Sequence, residues 1–291
     1  MKTRLIAFAL LASLGSLACA AGESGANRQR PQLASAAASL PSGNVADDIA
    51  NAGQLRTQSQ RLAKLWLQSG LGINAGSANA QLARGMAQFE SALTSLRKQQ
   101  SDPRLQRGLQ RTTALWEEFR SALGATYSSE TLNRVNYLAE DLMLATGKLA
   151  MQIESGANSA NGRLLDLSLR QNMLAQRLAR LYLMALTGDR SRGRLVDMEQ
   201  ARKEFATALN ELSVARENTP ASREALDLAR MQWLFFDNAI SELSRNGGES
   251  RPQHVATTSE RIMEVLDAVS REYAQDYGSA RLATTAGAIR N

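Results

Sequence analysis

The stretch Ala52-Gly53-Gln54-Leu55-Arg56-Thr57-Gln58-Ser59-Gln60-Arg61-Leu62-Ala63-Lys64-Leu65-Trp66 reads as one long helix. At about 100° per residue, Leu55, Ser59, Leu62 and Trp66 share a stripe, with Gln58 and Leu65 along one border and Ala52, Arg56 and Ala63 along the other. Arg56 therefore stands at the edge of a packing face. Ala52 and Ala63 are small neighbours on the same border, so a second backbone can come close. A ligand held between two helices would then meet the guanidinium.

The pattern recurs. Gln60-Arg61-Leu62-Ala63-Lys64-Leu65-Trp66 aligns with Gln176-Arg177-Leu178-Ala179-Arg180-Leu181-Tyr182, a shift from 60 to 176, or 116 residues. Phe89, Ala92, Leu93 and Leu96 align with Phe205, Ala208, Leu209 and Leu212 at the same 116. Pro103, Trp116 and Phe119 align with Pro220, Trp233 and Phe236 at 117, one residue more. A proline, a tryptophan and a phenylalanine that keep one spacing point to an internal duplication.

Composition bounds the class. Of 291 residues, 44% are hydrophobic and 5% aromatic, with five prolines, and no run of alternating β-branched residues marks a strand. The expected fold is all-α: two tandem up-down four-helix bundle units, repeat 1 over 45–157 and repeat 2 over 158–278, each burying a seam of a/d type. The first helix spans about Asp47–Ser69 and ends in the glycines of Gly70-Leu71-Gly72-Ile73-Asn74-Ala75-Gly76. A second covers Asn79–Gln100. Asp102-Pro103 caps a third, and Ser128 or Ser129 a fourth. Thr257-x-x-Glu260 reads as a capping box for the last helix, followed by a polar tail over 279–291.

At the N-terminus Lys2 and Arg4 precede the apolar run Leu5–Ala12 and the small residues Ala18-Cys19-Ala20, the order of a secretory signal peptide over residues 1–20. Lipid attachment at Cys19 is the rival reading, disfavoured because Ser16 stands where a lipobox wants leucine. Cleavage after Ala20 removes the single cysteine, and with it disulfide and thiolate chemistry. Residues 21–44, rich in Ala, Ser and Gly with Pro31 and Pro41, read as a flexible leader. No later stretch reaches the length of a membrane span, so the expected location is the periplasm.

The formal charge of +6 includes Lys2 and Arg4, so losing those two cations leaves +4 on the mature chain. Export removes nucleic acid as a partner, and a mildly positive surface suits small anions. Catalysis has little to build on. His254 is the only histidine, which excludes a histidine triad or a multi-histidine metal site. Glu117-Glu118 and Glu140-Asp141 are adjacent pairs that diverge on a helix. No enzyme, metal or cofactor is implied.

The segment Gly53–Arg61 resembles the P-box at the start of the nitrate-sensor domain of NarX and NarQ, and the PilJ-type N-terminal domain of type IV pilus chemoreceptors. The family pattern is approximately Ala-Gly-x-x-Arg-Met-x-Ser-x-Arg. This chain keeps Ala52, Gly53, Arg56, Ser59 and Arg61, with Thr57 for the methionine. The second copy keeps Met173, Gln176 and Arg177 but has Leu169 for the glycine, Asn172 for the arginine and Ala175 for the serine. The resemblance implies that Arg56 grips a small anion, nitrate or nitrite, where two first helices meet. A planar guanidinium with two parallel donors suits a planar oxyanion.

Gly53 and Ser59 are supporting candidates, and internal pairing of the repeats would set Asn172 against Arg56; pairing between chains of a homodimer is the other possibility. Receptors of this family carry membrane and signalling segments, so this chain would hand its signal to a membrane receptor or envelope protein. A second function stays open: a structural or interaction module that docks on a chemoreceptor, pilus or envelope partner and takes no small molecule. Trp66, Trp116, Tyr182 and Trp233 are expected in the core, and Phe235-Phe236 beside Trp233 is either a partner surface or buried between the units, the cheaper explanation. Arg61 and Arg177, off the stripe, are expected to pair with acids on a neighbouring helix.

Overall fold

Helix ends follow from local chemistry. In the computed structural model, which describes residues 45–100, 102–157, 159–244 and 251–289, α1 runs over Val45–Gly70 with Asp47 and Asp48 in its first turn, where carboxylates favour the helix dipole. Helix α2, Ala75–Gln99, starts four residues before the expected Asn79, because Asn74 takes the left-handed conformation at φ 50° and turns the chain directly into it. Asp102 caps α3 (Pro103–Leu123) by accepting from the Arg104 amide at 2.8 Å. Ser128 caps α4 (Ser129–Ala157) through the Thr131 amide at 3.1 Å. Helix α5, Ala160–Leu186, is capped by Ser159, and α6, Arg192–Ser213, by Ser191. Thr219 accepts from the Ser222 amide at 3.1 Å at the start of α7 (Pro220–Ser244), repeating the Asp102-Pro103 arrangement.

Helix α8, Pro252–Ile289, corrects one expectation. It begins five residues before Thr257, whose hydroxyl donates to the Gln253 carbonyl, so Thr257 and Glu260 form no capping box. Its backbone stays helical to Ile289, through most of the stretch expected as a polar tail. The expected signal peptide, leader and Cys19 lie outside the described residues.

The fold is an all-α bundle. Helix α1 packs on α2 and α4, and α3 joins α2 and α4; α5 packs on α6 and α8, and α7 joins α6 and α8. The two quartets meet along α1 and α5, with α1 also touching α8 and α4 touching α5. Contacts climb in step along the seam, from Gly53 beside Leu169 to Gln60 beside Arg180, so α1 and α5 are parallel. Both are buried nearly all round, as helices with neighbours on every side must be.

Equivalent residues occupy equivalent places. Phe89 stacks on Trp116 with centroids 4.1 Å apart, and Phe205 on Trp233 at 4.3 Å. Phe119 and Phe236 then meet the same tryptophans at 6.3 and 6.1 Å. Across α4 and α8 the shift becomes 120, from Glu140 to Glu260, and Val135, Leu142 and Leu149 match Val255, Ile262 and Val269, all buried. Phe235 departs from expectation. It is 62% exposed while Phe236 is fully buried, because α7 touches no helix of the first quartet and its outer face has no helix to cover it. Among the described residues no helix is long and apolar enough to cross a membrane.

Candidate functional site

At Gly53 helices α1 and α5 approach closely. A β-carbon there would stand 2.7 Å from Leu169 Cβ and 2.6 Å from its Cδ1. Leu169 stands at the 116-shifted position of Gly53 itself, so a large residue of one quartet fills the space left by a small residue of the other. One turn on, the Thr57 hydroxyl donates to the Leu169 carbonyl at 3.4 Å. The tight contact on this seam falls at Gly53, next to the Ala52 of the sequence pattern.

Arg56 is turned inward, 5% exposed. Its stem runs past Gly147 of α4, and its Nη2 donates to Asp166 Oδ1 at 2.9 Å and to the Asp166 carbonyl at 3.1 Å. Nε has no acceptor among the described residues. Burial draws the guanidinium below its ordinary pKa, the Asp166 charge opposes that, and nearby Arg170 adds to the downward pull. The Asp166 side chain keeps 20% of its surface exposed.

Ser59 is fully buried, and its hydroxyl donates to the Arg56 carbonyl at 2.7 Å, inside its own helix. Asn172 is also buried. Its amide nitrogen donates to Asp267 Oδ1 at 2.6 Å, while its Oδ1 has no partner among the described residues. Burial raises the Asp267 carboxyl, against that hydrogen bond. Gly53 and Arg56 thus line the seam together, whereas Arg56 turns to Asp166 of α5 and Asn172 to Asp267 of α8. Asp166 escaped sequence reasoning because its counterpart at the 116 shift is Ala50, outside the repeated motif.

Further along the seam, charged groups cross between the quartets. Arg61 chelates Glu260 of α8 through Nε at 3.0 Å and Nη2 at 2.6 Å, and Lys64 reaches the same carboxylate. In the mirrored position Arg177 and Arg180 of α5 hold Glu140 of α4. Gln60 donates to the Ala139 carbonyl at 2.9 Å, as Gln176 does to the Ser259 carbonyl at 3.0 Å. Gln60 also accepts from Arg180 Nε at 2.9 Å. Each central helix is therefore braced by a carboxylate from the opposite quartet, the reciprocal pattern of an isologous two-fold interface.

Burial pulls the Glu260 carboxyl up, but the charges and hydrogen bonds of Lys64 and Arg61 overcome this and hold it at about 2. Glu140 is likewise held below the ordinary range by Arg180 and Arg177, against its burial. Burial lowers Arg180 to about 10, with Glu140 opposing. Lys64 and Arg180 went unnoticed in the sequence because helical charges carry no local mark of their partner. The detectable signal is Glu140 and Glu260 at equivalent positions.

The comparisons bear on the first half. Residues 13–141 match the family model PilJ, described as the N-terminal region of type IV pili methyl-accepting chemotaxis transducers. The matched span takes in Gly53, Arg56 and Ser59 and ends within α4; α5–α8 lie outside it. No curated protein and no solved structure gives a significant match.

Proposed function

We propose that this chain is a sensory binding module, similar to the N-terminal region of chemotaxis transducers, that recognises a small oxyanion such as nitrate or nitrite through Arg56 and relays its presence to a separate signalling protein. The observation that carries this reading is a buried guanidinium on the α1–α5 seam whose Nε has no acceptor among the described residues and whose partner, Asp166, borders solvent. An arriving oxyanion displaces the Asp166 carboxylate outward and takes its place, so the buried cation is never left unneutralised. Gly53 sets the spacing of the two helices and Ser59 ties the Arg56 turn; Asn172, committed to Asp267, is a supporting position. The two quartets act as tandem copies of one ancestral unit, and the setting is the periplasm, with residues 1–20 as signal peptide.

Titration calorimetry and thermal shift on the mature protein test the reading. Nitrate or nitrite raises the melting temperature relative to chloride, and Arg56→Ala abolishes the difference. Asp166→Asn removes the internal competitor and tightens anion binding roughly tenfold, about 1.4 kcal/mol. Equal responses to all three anions, or a response that persists in Arg56→Ala, contradicts the proposal.

A second reading rests on the Arg56–Asp166 pair itself, which balances the charge with no ligand at all. On that reading the module docks on a chemoreceptor, type IV pilus or envelope partner and takes no small molecule. A co-purifying partner that survives Arg56→Ala and ignores added anions supports it.

A further inference from the structure

The two quartets share a core but not a surface. Between α3 and α4 runs a groove of about 490 Å³, three helical turns long, lined by Arg104, Arg107, Arg111 and Lys148 with Asp141 as its acid. Arg104 also reaches Asp102 at 3.4 Å; Arg107, Arg111 and Lys148 form no ion pair among the described residues. Gly108 keeps the floor low, its absent β-carbon 3.4 Å from Leu149. Beside the groove Tyr137, Leu144 and Met151 follow one another at seven-residue spacing along α4, each more than 60% exposed.

The matching positions of α7 and α8 lose the basic excess. The 117 and 120 shifts place Glu224 at Arg107, Glu264 at Leu144 and Glu272 at Gln152, leave Ala221 and Ala268 at Arg104 and Lys148, and set Arg261 at Asp141. Arg111 becomes Leu228, which with Met231, Leu234 and Phe235 leaves an exposed apolar surface on α7. Met151 becomes Arg271. Arg223, Asp227 and Arg230 match Gln106, Gln110 and Thr113, which line the α2 side of α3, away from the groove. The first quartet thus offers a basic groove with an apolar edge on α4, and the second a face where Glu224, Glu264 and Glu272 outnumber Arg261 and Arg271, with an apolar edge on α7.

We propose that copies of this chain associate head to tail, the α3–α4 face of one seated on the α7–α8 face of the next. Charge complementarity names the occupant: a second copy carries the acidic, partly apolar surface that the basic groove fits. A symmetric dimer through either face sets like charges together and is disfavoured. Because the two faces are different patches, the contact is heterologous and propagates into a ring or an open row. The attraction between exposed charges weakens within a Debye length of about 10 Å at 0.1 M salt, while the apolar edges supply the short-range contact. This inference stands independently of anion recognition at Arg56.

Sedimentation velocity on the mature chain tests it. At low salt the average mass rises with concentration, and salt reverses the rise. The double variants Arg107→Glu/Arg111→Glu and Glu224→Arg/Glu264→Arg, all on exposed positions, each stay monomeric with unchanged melting curves. Mixing the two restores association, because each reversed face now meets a complementary one. A wild-type chain that stays monomeric throughout, association indifferent to both reversals, or a mixture that remains monomeric overturns the proposal. So does cross-linking that joins α3–α4 to α3–α4.

Discussion

Replacing Glu260 with alanine lowers the stability of the fold by about 3–5 kcal/mol, the cost of leaving buried charge unpaired. Lys64 is fully buried and Arg61 nearly so, and among the described residues that carboxylate is the acid paired with both, Ser259 and Gln81 adding only neutral hydrogen bonds. Glu140→Ala has a parallel effect through Arg180, which is 1% exposed, and Arg177. Urea denaturation at pH 7 measures both losses.

The pH dependence has a definite sign. The Glu260 carboxyl titrates at about 2 in the folded chain, below the ~4.3 of an unfolded glutamate. Its stabilisation is therefore complete above the unfolded value and is lost as pH falls from about 4.3 to about 2. The wild-type urea midpoint drops across that interval, and Glu140 adds to the drop in the same direction. Glu260→Gln, less stable at pH 7, shows a shallower decline over the same interval. A decline as steep as that of the wild type would remove Glu260 from the account.

Gly53→Ala destabilises by about 1–3 kcal/mol, the usual cost of overpacking a tight contact. The sign is informative, since alanine in a helix interior is otherwise favoured over glycine by ~1 kcal/mol. The new methyl meets Leu169 Cβ at 2.7 Å, close to the backbone, where rotating the side chain gives no relief. Helices α1 and α5 must separate, which loosens Thr57 on the Leu169 carbonyl and the Arg56 reach to Asp166. Circular dichroism melts of the single variant give the magnitude, and a gain in stability would place the close approach elsewhere.

Much of the helical order is legible in the sequence, because large aromatic residues and caps repeat at fixed spacing. Phe89 and Trp116 against Phe205 and Trp233 mark equivalent helices, and Asp102-Pro103 marks the start of α3. The inward turn of Arg56 follows from its place on the border of the apolar stripe. What periodicity does not carry is the identity of partners about 110 or 200 residues away, such as Asp166 for Arg56 and Glu260 for Arg61. Phe235 misleads for a related reason: an apolar pair suggests burial, but only the neighbours of α7 decide which ring is covered. Likewise Thr257 and Glu260 have the spacing of a cap, yet Glu260 is drawn to the two cations of α1.

Everything proposed for Arg56 requires that the two equivalent helices lie side by side with Gly53 against its own counterpart. A double-mutant cycle with Gly53→Ala and Leu169→Gly measures this directly. Because removing the Leu169 β-carbon makes room for the new methyl, the double variant is expected to be more stable than the sum of the single losses by at least 1 kcal/mol, within the 0.5–3 kcal/mol typical of residues in contact. Losses that add to within about 0.5 kcal/mol, as for residues far apart, would contradict it.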